Sequence, residues 1–214
     1  MPSEVRELCS LTEKQIVEDG DEGAAGIYSI QEEVASFVTT GIARAIVDLN
    51  REEDDRRADG VVKTHTIWKV PVYHEPLSDE LVETLLSKYY RTYHRQLTIL
   101  AKNAKLGVDC HTMAAVGPPV ASDAGKQRPL ICLGNAEGTC PESWLSRLAK
   151  CLENSFQVDV SINSPFKGGH IIRSHAHELP WVQVELSRDP FLSIYQKRLC
   201  VLEGLSEWCA LLGI

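Results

Sequence analysis

Short apolar runs alternate along the chain with longer stretches whose apolar residues recur every three or four positions, the pattern of a sheet covered by helices on both faces. Strands are predicted over residues 39–48, 109–113 (closing a run that begins at Leu106), 129–133, 158–162 and 182–186. Between them, Leu81, Leu85, Tyr89, Tyr93, Leu97 and Leu100 fall on one helical face and predict a helix over 77–105, with Ser78 as its N-cap. Pro141 and Pro190 stand where a first helical turn begins, the second just after the capping residue Asp189, so helices are predicted over 141–156 and 190–212. The charged stretch 52–57 and the Gly/Pro-rich stretch 117–125 read as solvated loops. No internal repeat or linker divides the pattern, which predicts a single α/β domain over residues 1–214.

Composition narrows the class of partner. A formal charge of -8 speaks against a general nucleic-acid binder, because phosphate contacts need clustered Lys and Arg. A small anionic substrate would then need its own local cations. No run approaches the ~20 apolar residues of a membrane span, and the polar start Met1-Pro2-Ser3-Glu4 has no signal-peptide core, so cytoplasmic residence without a membrane partner is expected. The seven cysteines are scattered and form no Cys-x-x-Cys pair, which supports neither a disulfide framework nor a zinc ribbon. Oligomeric state is not legible.

Two of the apolar runs end by presenting a functional side chain. Val108-Asp109-Cys110-His111-Thr112-Met113 delivers His111, and Asp109, two positions earlier on the same strand face, can orient its ring. Trp181-Val182-Gln183-Val184-Glu185-Leu186 delivers Glu185 between apolar neighbours, where an unpaired carboxylate is costly to bury, so it must face a cavity, a metal or a cation. One strand supplying a nitrogen ligand and another a carboxylate is how a zinc hydrolase assembles a metal and a general base. A hydrogen-bonded core histidine is the plain alternative for His111.

Asp48-Leu49-Asn50-Arg51 follows an apolar run, so its polar side chains emerge at a strand end; Arg51 can fork onto a carboxylate, with Asn50 beside it. An exposed Arg51 paired with Glu52 or Asp54 is the alternative. Asn163-Ser164-Pro165-Phe166-Lys167-Gly168-Gly169-His170 is a turn by composition, and its paired glycines and Lys167 suit an anionic group bound through amides and ammonium; otherwise it is a tight turn before a strand at Ile171-Ile172. His175-x-His177 could be a metal site in its own right or two exposed histidines.

These segments, taken in order, resemble the N-formylglutamate amidohydrolase (deformylase) family, zinc-dependent relatives of the carboxypeptidases and aspartoacylase. The resemblance runs from about Thr12 to Phe191 and is carried by Asp48-Leu49-Asn50-Arg51, Asp109-Cys110-His111-Thr112-Met113, residues 163–169 and Gln183-Val184-Glu185-Leu186-Ser187-Arg188. Asp19-Gly20-Asp21, with Tyr28 beyond it, is similar to the family's upstream Asp-x-Asp element.

The resemblance implies a zinc-carboxypeptidase-like (phosphorylase/hydrolase-like) fold with a mixed, mostly parallel sheet. It further implies zinc as cofactor, His111 as a ligand, Glu185 as the catalytic carboxylate, and Arg51 with Asn50 as the substrate clamp. Lys167, Gly169, Arg173 and Arg188 are the other substrate-binding candidates, the three cations being unranked for a second carboxylate. The substrate implied is a small acidic amide, N-formylglutamate, cleaved to formate and glutamate within histidine degradation. Family members begin with a strand ending in Pro-His-x-Gly, and nothing in residues 1–14 matches it. Either that strand is lacking, or Asp19, Asp21 or another histidine replaces its ligand. Phe191 also stands where the family often has a tyrosine. A carboxylate-binding protein with an incomplete metal site and a metallo-carboxypeptidase remain as alternative readings.

Overall fold

Side chains alternate across a strand, so a strand that is apolar at every second position must lay one face on a core and turn the other toward something polar. The computed structural model, which describes residues 1–214, has four such strands: β1 (Gly107–Met113), β2 (Ile131–Gly134), β3 (Val160–Ile162) and β4 (Trp181–Ser187). They form one sheet in the order β1-β4-β2-β3, with β1 parallel to β4, β2 parallel to β3, and β2 antiparallel to β4. The expected mixed, mostly parallel α/β sheet is present.

Val182, Val184 and Leu186 of β4, with Ile131 and Leu133 of β2, enter the main core, where helices α5 (Glu142–Phe156) and α7 (Ile194–Leu212) cover them. Leu145, Leu148 and Leu152 line the buried side of α5; each is fully buried and contributes about 1.5–3 kcal/mol. Trp181, the odd-numbered neighbour, turns to the opposite face, where Leu97, Ile171 and Ile172 meet it. Helices α4 (Arg91–Ala101) and α6 (His170–His175) thus cover the second face.

A separate lobe forms from residues upstream of β1. Val5, Ile46, Val47, Leu49, Val61, Val72, Leu85 and Leu86 pack into its own core, around α3 (Asp79–Leu85). Ser78 caps α3 by accepting from Leu81 N, and the predicted 77–105 helix continues through a π-type turn at Leu86–Tyr90 into α4. Helices α1 (Glu13–Asp19) and α2 (Ala24–Ile27) lie in the chain between Val5 and the rest of this lobe, and Ile27 of α2 joins the main core. No helix is long and apolar enough to cross a membrane.

Three predicted elements differ. Residues 39–48 form no strand: Arg44 to Ile46 turn, and only Val47 makes an isolated bridge, to Val62. Ala45, Ile46 and Val47 are all buried in succession, so the run fills the lobe's core rather than alternating across a sheet. Ile171-Ile172 is helical, since Ile171, Ile172 and His175 bury one side at helical spacing. The last helix begins four residues after Pro190, because Ser193 and Gln196 form a reciprocal capping box and halt it there.

Candidate active site

The same alternation that buries Val182 and Val184 sends Gln183 and Glu185 to the other face of β4, and it sends Asp109 and His111 to that face of β1. Register places Asp109 opposite Gln183 and His111 opposite Glu185. Four polar side chains on adjacent strands therefore share one patch of sheet.

Each is braced. Gln183 Nε2 donates to Glu185 Oε1 at 2.8 Å, and Gln183 Oε1 accepts from Gly169 N at 2.6 Å. Burial raises the Glu185 carboxyl to about 7, a value suited to taking and returning a proton near neutrality. His111 has a carboxylate at each ring nitrogen: Asp109 Oδ2 lies 2.9 Å from Nε2 and Asp21 Oδ1 lies 3.2 Å from Nδ1. Burial alone would lower this imidazole, but Asp109 and Asp21 outweigh it and hold it well above its ordinary value. Burial likewise opposes ionisation of Asp21, and the Arg44 guanidinium reverses the balance, holding that carboxyl well below its usual range. Arg44 bridges Asp21 and Asp48, with its nitrogens 3.1 Å from each.

A polar cavity of about 1060 Å³ opens above this patch, and Arg44, Asn50, Gln183, Glu185 and Arg188 are among its lining residues. His111, Asp21 and Asp109 are not; Asn50 and Arg44 stand between them and the open space. Loops 52–57 and 118–123 form further wall, so both predicted loops border the cavity.

Not every candidate cation is equally available. Lys167 is exposed and joined to Glu137 at 2.7 Å. Arg51 donates from Nε to Asp59 O at 3.2 Å, but its carboxylate partners are distant, 3.8 Å for Asp48 and 3.6 Å for Asp59, and it faces the cavity. Arg173 lines the cavity without any ion pair or side-chain hydrogen bond. Arg188 donates to Glu18 O at 3.1 Å, to Gly20 O and to Thr112 Oγ1 at 3.4 Å, all neutral acceptors, and burial lowers its pKa, outweighing the nearby Asp21, Glu22 and Glu185 carboxylates. It is a half-buried guanidinium that no carboxylate pairs directly.

Asn50 and Gly169 act on each other. Asn50 Oδ1 accepts from Ile171 N at 2.8 Å, and a Cβ on Gly169 would come within 2.2 Å of the Asn50 amide. Gly168 beside it adopts φ +120, where a side chain would also strike Ile172. The glycines thus let the loop close over Asn50, rather than turning a free amide toward a ligand.

A model of the N-formylglutamate amidohydrolase family matches residues 1–192. The chain belongs to that family. Within its reach, the N-formylglutamate deformylase of Pseudomonas aeruginosa is 26% identical over 201 residues, covering 84% of this chain and 73% of the relative. The fold matches the crystal structure of an N-formylglutamate amidohydrolase from Ralstonia eutropha at TM-score 0.80 and 18% identity, over all of this chain and 90% of the other. A gene product of Agrobacterium tumefaciens matches at TM-score 0.73 and 17% identity, over all of this chain and 87% of the other.

Set against the zinc expected of an N-formylglutamate amidohydrolase, the donor set falls short. His111 and Asp21 are adjacent, but Asp19 is elsewhere engaged: Oδ2 lies 2.8 Å from Lys63 Nζ and Oδ1 accepts from Ile67 N at 2.7 Å. No group of three or more His, Cys, Asp or Glu residues is arranged to hold a metal. The His175-x-His177 pair also divides, His175 being buried against Glu178 and His177 exposed. Phe191 packs on Phe156 and under Lys197, away from the cavity wall.

Sequence reasoning missed Arg44 and the bracing role of Gln183. The spacing of Arg44 and Asp48, four residues apart, was the available signal for the first.

Proposed function

We propose that this chain hydrolyses the amide bond of an N-formyl or other small N-acyl acidic amino acid, taking N-formyl-L-glutamate and water to formate and L-glutamate. The observation that carries the reading is Glu185, a buried carboxyl raised to about 7 on the wall of a cavity that also holds guanidiniums without full partners. Glu185 accepts the proton of a water whose oxygen adds to the acyl carbon. The C–N bond then breaks, and Glu185 returns the proton to the leaving amine. Arg51 holds one substrate carboxylate; Arg188 and Arg173, rather than the tethered Lys167, are the cations for the second.

Zinc dependence belongs to the proposal. His111 and Asp21 are the side chains that would hold the ion, and two protein ligands are one fewer than the three of a catalytic zinc site. No step above is therefore assigned to a metal. Purified protein is expected to carry less than one zinc per chain, and atomic absorption showing full occupancy that Asp21→Ala leaves unchanged would remove Asp21 from the site. A cytoplasmic place and a role in histidine breakdown follow from the same reading.

The deciding experiment is formate release by Glu185→Gln. The substitution keeps shape and should reduce turnover at least ~100-fold with an unchanged circular dichroism spectrum. Near-normal turnover would remove Glu185 from the chemistry. The incomplete ligand set also favours a second reading, a carboxylate-binding protein; glutamate binding by calorimetry without formate release from the unmodified chain would select it.

A further inference from the structure

Helices α4 and α6 meet through a line of polar groups that the hydrolytic scheme leaves unused. Thr98 Oγ1 donates to Glu178 Oε1 at 2.6 Å, His175 Nδ1 lies 3.0 Å from Glu178 Oε2, and His175 Nε2 lies 2.9 Å from His94 Nδ1. His94 Nε2 in turn lies 3.0 Å from the carbonyl oxygen of Leu49. The two imidazoles stack with centroids 5.2 Å apart.

Hydrogen placement follows from what each atom can do. A carbonyl only accepts, so His94 Nε2 carries the hydrogen. Burial lowers His94 to about 4, which keeps the ring neutral at pH 7 and leaves Nδ1 as an acceptor. His175 Nε2 must then be the donor, with the Glu178 carboxylate behind its other nitrogen. From His175 inward the line has one direction: His175 donates to His94, and His94 donates to the backbone of Leu49, while the Glu178 carboxylate at the outer end is an acceptor that takes the Thr98 hydroxyl hydrogen.

Tyr90, on the π-type turn, makes a parallel contact. Its hydroxyl donates to the carbonyl of Arg51 at 2.8 Å and lies 2.9 Å from His170 Nε2, whose hydrogen it can accept. The carbonyls on both sides of Asn50 are thus held from one helical segment, while Asn50 N donates to Asp48 Oδ1 at 3.0 Å. Fixing these peptide planes fixes the directions in which Asn50 and Arg51 leave the backbone.

We propose that the Glu178–His175–His94 relay, with Tyr90 beside it, is a positioning device that holds the Asn50-Arg51 segment in its substrate-binding geometry. The inference rests on the reading of Arg51 as a carboxylate clamp.

Three substitutions of His94 separate positioning from packing. His94→Gln can still donate to Leu49, His94→Asn keeps a group toward His175 but loses the Leu49 bond, and His94→Phe keeps ring volume and loses both. The amides of residues 47–53 should exchange hydrogen about tenfold faster in the Phe and Asn variants and near the unmodified rate in the Gln variant. With N-formylglutamate, KM should rise about tenfold in the same two variants while kcat stays within about threefold, the pattern of lost uniform binding. Tyr90→Phe, which removes only a hydroxyl, should raise KM in the same sense and serves if His94→Phe does not fold. Equal exchange and KM in Gln and Phe variants, or a fall in kcat at constant KM, would overturn the proposal. If the unmodified chain releases no formate, the hydrolase reading fails, and the exchange pattern still decides the positioning role.

Discussion

Replacing Asp19 by alanine separates two roles for that carboxylate, as a metal ligand and as half of a buried ion pair. Lys63 and Asp19 side chains are 1% and 0% exposed, 2.8 Å apart, with Asp48 a further 3.9 Å from the ammonium. At an effective dielectric of about 20 the attraction is about 6 kcal/mol gross, against a desolvation cost of several kcal/mol for each ion. The pair is thus near break-even as a whole, but deleting one member strands the other. Asp19→Ala should therefore cost about 3–5 kcal/mol, with the lost Ile67 N–H partner within that range. For a chain of 214 residues this lowers Tm by roughly 6–20 °C, from a shift of about 2–4 °C per kcal/mol. Differential scanning calorimetry at pH 7 measures it, and the double variant Asp19→Leu with Lys63→Met should recover much of the loss. A Tm shift under ~3 °C together with loss of bound zinc would refute the ion-pair account and return Asp19 to the metal site.

Two more outcomes follow from the cavity. Arg51→Ala should weaken glutamate binding by about 2 kcal/mol, with Arg51→Lys recovering only part because an ammonium cannot fork; equal calorimetric affinities in all three proteins would remove Arg51 as the clamp. Glu185 also sets a pH dependence: its folded-state pKa of about 7 exceeds the ordinary 4.5, so the folded protein holds the proton more tightly, and this stabilisation is complete below 4.5 and lost as pH rises through 7. Glu185→Gln should accordingly gain stability relative to the unmodified chain between pH 5 and pH 8, by up to ~3 kcal/mol. A stability difference independent of pH in urea titrations would show that Glu185 is not raised.

The strands were legible where a short apolar run stood between turn residues, because β4 and β2 lie inside the sheet and β1, at its edge, is buried toward its C-terminal end, so their apolar character survives in the sequence. Residues 39–48 carried the same signal and form no strand. A run buried on all sides looks alike whether it fills a sheet or a loop-built core, and periodicity cannot separate the two. The π-type turn at Leu86–Tyr90 was invisible for a different reason. Its residues keep helical spacing, and the extra residue shows only in which side chain reaches Arg51.

In the site, Glu185 and His111 were legible because each is a polar residue in an apolar strand, and period-two alternation also gave their companions Gln183 and Asp109. Asp19 and Asp21 show where such reasoning stops. Residues two apart share a face only when the backbone is extended through both. Here Asp19 is the last residue of α1, and Asp21 follows the cap residue Gly20. The helix turns one carboxylate into the upstream lobe toward Lys63, and the cap releases the other toward His111 and Arg44. Their fates are set by Lys63 and Arg44, whose pairing partners lie 44 and 23 residues away in the chain, and no local pattern announces contacts of that span. Nor does it announce how Asp21 is shared. Because Arg44 joins Asp21 to Asp48, the residue that opens the clamp segment, the His111 environment and the substrate clamp are one charge network, so removing Arg44 should disturb both at once.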